Sequence, residues 1–141
     1  MLVEITMKKI IIGKWYDLGT IEIAYLDGAI YYARLKKDET MTLDCLRKSI
    51  DFRKEYGIED AYLILEFGEF STTDLDTRLF SMNRTDEPFK AEAFITRNLA
   101  QKIIVDNYVK LNKRKIPFAR FDSSDEAFSW IESLKKSEKS A

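Results

Sequence analysis

Glu66, Glu69, Asp74 and Asp76 crowd around the hydroxyl run Ser71-Thr72-Thr73. Carboxylates at such density could hold a divalent cation or exchange protons as an acid/base pair. Their spacing follows no metal motif, and scattered carboxylates are mostly surface charge. Glu66 stands apart, because it ends an apolar segment and open α/β sheets present chemistry at the carboxyl ends of their strands. The chain has no histidine. That removes the commonest general base and zinc ligand, and no Ser–His–Asp or Cys–His nucleophile can be assembled within it. The single cysteine, Cys45, excludes an intramolecular disulfide. It lies near a predicted helix start, where a thiol pKa can fall, but its neighbour is Asp44 and no imidazole can help it. A structural cysteine is the simpler reading. No cofactor and no metal are expected, and the chain reads as non-enzymatic.

Other clusters have plain structural readings as well. Ser71, Thr72 or Thr73 can cap a helix beginning near Asp74. Lys110, Lys113, Arg114 and Lys115 lie at the end of a predicted helix, where cations complement the helix dipole and stay solvated. A nucleic-acid site there would need a wider basic field, and the net charge is −1. The aromatic residues are mostly core. Trp15, Tyr16 and one of the pair Tyr31 and Tyr32 could form an apolar patch, since alternation turns that pair to opposite faces. Such a patch would suit a homodimer interface.

The elements that must position these groups follow from periodicity. Thr20 to Leu26 alternates, Asp27-Gly28 suits a tight hairpin turn, and Ala29 to Leu35 returns. Lys8 to Tyr16 could add an earlier strand broken at Gly13, with residues 1–9 as an arm or edge strand. After the polar connection Lys36 to Thr40, Thr42 caps a helix from Leu43 to about Tyr56, and Gly57 ends it. Ala61 to Phe67 is a central strand buried on both faces, Gly68 to Thr73 a loop, and Asp74 to Met82 a helix. Two further strand–helix units follow, Lys90 to Thr96 with Asn98 to Asn112, then Ile116 to Phe121 with Ser123 to Lys135. In the third helix Leu99, Ile103, Ile104, Tyr108 and Leu111 form the apolar stripe, and Val105 and Val109 widen it. In the fourth, Ser123 and Glu126 have capping-box spacing, and residues 137–141 should fray. Strands separated by helices of this length pair in parallel. The fold class is therefore α/β: an N-terminal antiparallel hairpin, then α-β-α-β-α-β-α, forming a mixed sheet with helices on its faces.

At 141 residues, 45% apolar and 33% charged, the chain has the size and composition of a single domain. Its first residues lack the pattern of a signal peptide, and no apolar run is long enough to span a bilayer. A cytoplasmic protein that neither inserts into membranes nor binds nucleic acid is expected.

The ordered set of elements resembles the SpoIIAA-like, or STAS-like, domain family, particularly small bacterial members. The resemblance covers residues 10–136 and rests on the Asp-Gly hairpin, the strand Ala91 to Ile95, the Leu-Asn-Lys element at Leu111 to Lys113, the strand Pro117 to Phe121, and the final helix segment Glu126 to Ile131. It implies an intracellular regulatory module acting by protein–protein recognition, as anti-sigma-factor antagonists do. In those proteins a Ser or Thr at the start of the helix after the central strand is phosphorylated, which controls binding to a kinase partner. The matching positions here are Ser71, Thr72 and Thr73, with Asp74 beside them; the family's usual Asp-Ser-(Ser/Gly)-Gly pattern is absent. Related folds bind lipids or nucleotides. The alternative function is accordingly a carrier or sensor of a small apolar or phosphorylated ligand, marked by a pocket between a helix and the sheet. A third, a carboxylate enzyme, would need a concave site around Glu66.

Overall fold

The computed structural model describes residues 8–86 and 88–140. The first seven residues, the larger part of the predicted arm, lie outside this set. The edge strand proper is β1 (Trp15–Asp17), and residues 8–14 form no strand. It pairs antiparallel with β2 (Ile21–Leu26), which pairs antiparallel with β3 (Ile30–Leu35). The turn takes three residues, with Gly28 at φ +83° and Ala29 at φ +61°. Ala29 thus belongs to the turn, and its carbonyl accepts from the Tyr62 N–H at 2.8 Å.

From β3 onward the sheet is parallel. Strands β5 (Ala61–Phe67), β7 (Phe89–Ile95) and β8 (Phe118–Phe121) add successively, giving the order β1-β2-β3-β5-β7-β8. The predicted mixed sheet is therefore present. Three crossover helices, α1 (Leu43–Glu55), α2 (Leu75–Asn83) and α3 (Leu99–Leu111), join the parallel strands, and α4 (Ser124–Ser140) closes the fold. Alternation divides the core into two layers. Ile21, Ile23, Tyr31, Leu65, Phe67 and Phe94 meet α1 and α3 through Phe52 and Val105. Tyr32, Ile64, Ala93 and Ile95 meet α4 through Ala127 and Ile131 on the other side.

Caps set most of the helix ends. The Thr42 hydroxyl accepts from the Cys45 N–H at 3.3 Å, and Gly57 follows the first helix at φ +62°, both as predicted. Thr42→Ala should lower stability by about 1 kcal/mol; an unchanged urea midpoint would show that this cap contributes nothing. For α2 the cap is Asp74 itself, whose carboxylate accepts from the Thr77 N–H at 2.9 Å. The three hydroxyl residues before it are not caps. Thr72 and Thr73 form β6, paired in parallel with β4 (Thr40–Met41), where the sequence suggested only loop. Two residues on each side are too few to leave an alternation pattern.

Two further corrections concern helices. Val105, Tyr108 and Val109 of the predicted apolar face of α3 do pack on the core, but Leu99, Ile103 and Leu111 are exposed and Gln101 is buried instead. Gln101 belongs to the inward face of α3, and its side-chain amide donates to the carbonyls of Gly68 and Ser71, both at 2.9 Å. The last helix continues through Ser140, past the predicted end at Lys135. Glu138 in that extra turn accepts from the Tyr62 hydroxyl at 2.8 Å and lies 3.7 Å from Lys90.

Candidate functional site

Between the sheet and the three crossover helices lies a cavity of about 110 Å³. Its sheet side is apolar, formed by Ile21, Tyr31, Ala33, Leu65, Phe67 and Phe94. These are alternate positions of neighbouring strands, so the cavity is a consequence of register. Ala33 in the middle of β3 contributes little bulk. The helix side is less apolar: Leu46, Ile50 and Arg53 come from α1, Thr77, Arg78 and Ser81 from α2, and Val105 and Tyr108 from α3. The half-buried lining residues Arg53, Arg78, Ser81 and Arg84 also reach solvent.

Polar groups are concentrated at one end of this space. Glu92, on β7, is buried with Arg114, their side chains being 3% and 2% exposed. Arg114 Nη1 donates to Glu92 Oε2 at 2.8 Å and Nη2 to Oε1 at 3.2 Å. The Tyr108 hydroxyl donates to the same carboxylate and accepts from Arg114, while Asn112 Oδ1 accepts from Arg114 Nε and its backbone N–H. Burial pushes the Glu92 pKa upward, and the facing guanidinium opposes that shift. Burial also pushes the Tyr108 and Tyr31 hydroxyls up, so both stay protonated. Arg114, read from sequence as part of a solvated helix end, is an interior residue, because Glu92 requires a buried counter-charge.

The predicted hydroxyl positions stand beside the cavity with unequal access. Ser71 is buried and its hydroxyl donates to the Gly68 carbonyl at 2.8 Å. Thr73 is buried and lines the cavity, and its Oγ1 has no hydrogen-bond partner among the described residues. Thr72 is half-buried in β6. The Thr77 side chain and backbone N–H hold the Asp74 carboxyl below the usual range.

The predicted aromatic patch divides between the two faces of the sheet. Trp15 and Tyr32 meet edge to face at 5.6 Å on the α4 side. Tyr16 packs on Phe52 and Tyr56 of the other layer. Tyr31 and Tyr32 are both buried, because helices cover both sides of β3, so neither is the exposed member expected. Glu66 is also on the α4 side, away from the cavity. Tyr32 donates to it, Arg34 Nε donates at 3.0 Å, and Arg97 Nη2 donates at 3.4 Å. Arg34 in turn lies 4.4 Å above the Trp15 ring. This carboxylate is locked in a network. Among the described residues no carboxylate or cysteine cluster suits a metal ion. Cys45 is buried and its pKa is raised by burial, which fits a structural thiol.

The sequence does not mark Glu92 or Gln101 as site residues, and it groups Arg114 with the solvated cations of a helix end. Glu92 carries a signal: a charged residue between Ala91 and Ala93, in a strand next to the sheet centre, must find a partner. Residues 23–135 match a family of domains of unknown function, DUF7793. No curated protein and no solved structure matches the chain. Among the described residues no helix is long and apolar enough to cross a membrane.

Proposed function

The chain belongs to the DUF7793 family, and we propose that its domain is a non-enzymatic binding module, a carrier or sensor that takes a small ligand between the sheet and its crossover helices. The observation supporting this is the cavity itself: an apolar floor, a polar end, and an unpartnered buried hydroxyl at Thr73. Well-packed cores leave few voids, and buried polar groups are normally satisfied. A space with both features is accounted for by an occupant.

Benzyl alcohol is a suitable first probe, followed by NMR titration of the full chain. Saturable shifts at Tyr31, Leu65 and Phe94 are expected, and they should vanish in Ala33→Leu, which fills the space from β3. Overpacking there would cost about 1–3 kcal/mol, so circular dichroism must show that the variant stays folded. Absence of saturable shifts in the wild-type chain at millimolar probe would reject the reading. Native mass spectrometry of protein from its own source then identifies a resident ligand.

A second reading, the partner-recognition module implied by the STAS-like resemblance, is supported by a different surface. Phe70 is 66% exposed at φ +58°, and Leu99, 71% exposed, borders the same shallow depression. Leu75 and Leu79 of α2 are exposed as well. Sedimentation velocity of wild type against Phe70→Asp separates self-association through this surface from a monomeric binder.

A further inference from the structure

We propose that the ligand is an anion: a small apolar acid, a carboxylate or phosphate monoester, whose body lies on the sheet and whose charge is taken by Arg53 and Arg78. This rests on the reading of the cavity as a ligand site and goes further by assigning its charge.

The argument is one of accounting for cations. Arg53, Arg78, Arg84 and Arg114 line the cavity against one carboxylate, Glu92. Arg114 is committed to Glu92. Arg84 holds Asp86 through Nε at 2.9 Å and Nη2 at 2.5 Å. Arg53 and Arg78 hydrogen-bond only to backbone carbonyls: Arg53 Nη1 donates to Ile58 at 3.0 Å, and Arg78 Nε to Asp74 at 3.3 Å. Arg53 also lies 5.8 Å over the Phe89 ring, and the Arg78 charge helps hold the Asp74 carboxyl low. Neither forms an ion pair among the described residues. Two half-buried guanidiniums, one on α1 and one on α2, therefore border one apolar space with most of their donors unused. Such forks match carboxylate and phosphate oxygens, and partial desolvation strengthens the bond. A cation would be repelled, and a neutral ligand would gain little from either charge.

The Thr73 hydroxyl adds a donor inside the cavity. The volume limits the ligand's body. An engineered cavity of about 150 Å³ holds benzene, so the smaller space here, about 110 Å³, limits the enclosed body to at most one ring or a short branched chain. Long acyl chains are excluded without rearrangement.

Isothermal titration of the full chain with benzoate, phenyl phosphate and benzamide tests the assignment. One or both anions should bind about tenfold or more tightly than benzamide. That preference should disappear in Arg53→Gln/Arg78→Gln, which removes both charges and leaves shorter side chains that still hydrogen-bond. Preference for benzoate identifies a carboxylate ligand, and preference for phenyl phosphate a phosphate monoester. Equal affinity for all three in the wild-type chain would overturn the anion assignment while leaving the cavity reading intact. Failure of all three, together with benzyl alcohol, would overturn the cavity reading itself. The wild-type comparison needs no variant to fold.

Discussion

Arg114→Met should destabilise the domain by about 3–5 kcal/mol at neutral pH. The substitution keeps most of the side-chain volume but leaves the Glu92 carboxylate, 3% exposed, without its bidentate partner. Tyr108 still donates to it, yet one neutral donor cannot replace a guanidinium. The sign of the pH dependence follows. Without the cation, desolvation is only partly opposed by Tyr108 and the Arg84 charge, and it raises the folded-state pKa of Glu92 above the unfolded value of about 4.3. The stability gained from protonated Glu92 is then fully present below about pH 4.3 and is lost as pH rises through the folded pKa. The deficit relative to wild type should therefore be larger at pH 7 than at pH 5. Urea denaturation of both proteins at the two values measures this. Replacing both partners, Glu92→Met/Arg114→Met, should recover much of the loss, because an apolar pair leaves no buried charge. An equal deficit at both pH values would mean that the loss comes from packing. Since Glu92 and Arg114 also line the cavity, the double variant further shows whether their pairing shapes the ligand site.

This pair also marks the boundary of what the sequence discloses. Long elements with strong periodicity, such as β2 and β3, the apolar run of β5 and the capped α4, are readable because local pattern and tertiary environment agree. The Asp-Gly turn and Gly57 are readable because backbone conformation restricts residue choice. The cavity is different. It depends on which side chains from β2, β3, β5 and β7 become neighbours, and register between distant segments leaves no local trace. Arg114 stands in a run with Lys113 and Lys115; nothing nearby says that it alone turns inward. The inward face of α3 is only partly legible for a related reason: Val105, Tyr108 and Val109 do pack on the core. Leu99, Ile103 and Leu111 have helical spacing, but hydrogen bonds from Gln101 to the loop after β5 orient the helix otherwise. The outcome leaves an apolar surface beside Phe70 that local pattern assigns to the core.

That same loop yields the second prediction, a large effect from a single methyl group at Gly68. A Cβ added there would lie 2.4 Å from the Leu35 carbonyl oxygen, 2.7 Å from the Lys36 carbonyl carbon and 2.7 Å from the Lys37 nitrogen. All three are backbone atoms, so no side-chain rotation relieves the overlap. Gly68 is where β5 leaves the sheet against the chain emerging from β3. Its carbonyl accepts from the Ser71 N–H at 3.1 Å, the Ser71 hydroxyl at 2.8 Å and Gln101 Nε2 at 2.9 Å. Displacing it moves the acceptor of three bonds together, including one that orients α3. Gly68→Ala should therefore cost about 3 kcal/mol, the upper end for overpacking. Ser71→Ala is the comparison: it removes one donor and leaves the backbone in place, and should cost about 1 kcal/mol. Thermal or urea unfolding ranks the two. The order matters for function, because β6 and Thr73 follow directly on this loop. A Gly68→Ala protein that remains folded at low temperature should bind the cavity probes more weakly than Ser71→Ala. Equal stability of the two variants would mean that the junction yields easily and that Gly68 does not fix the loop beside the cavity.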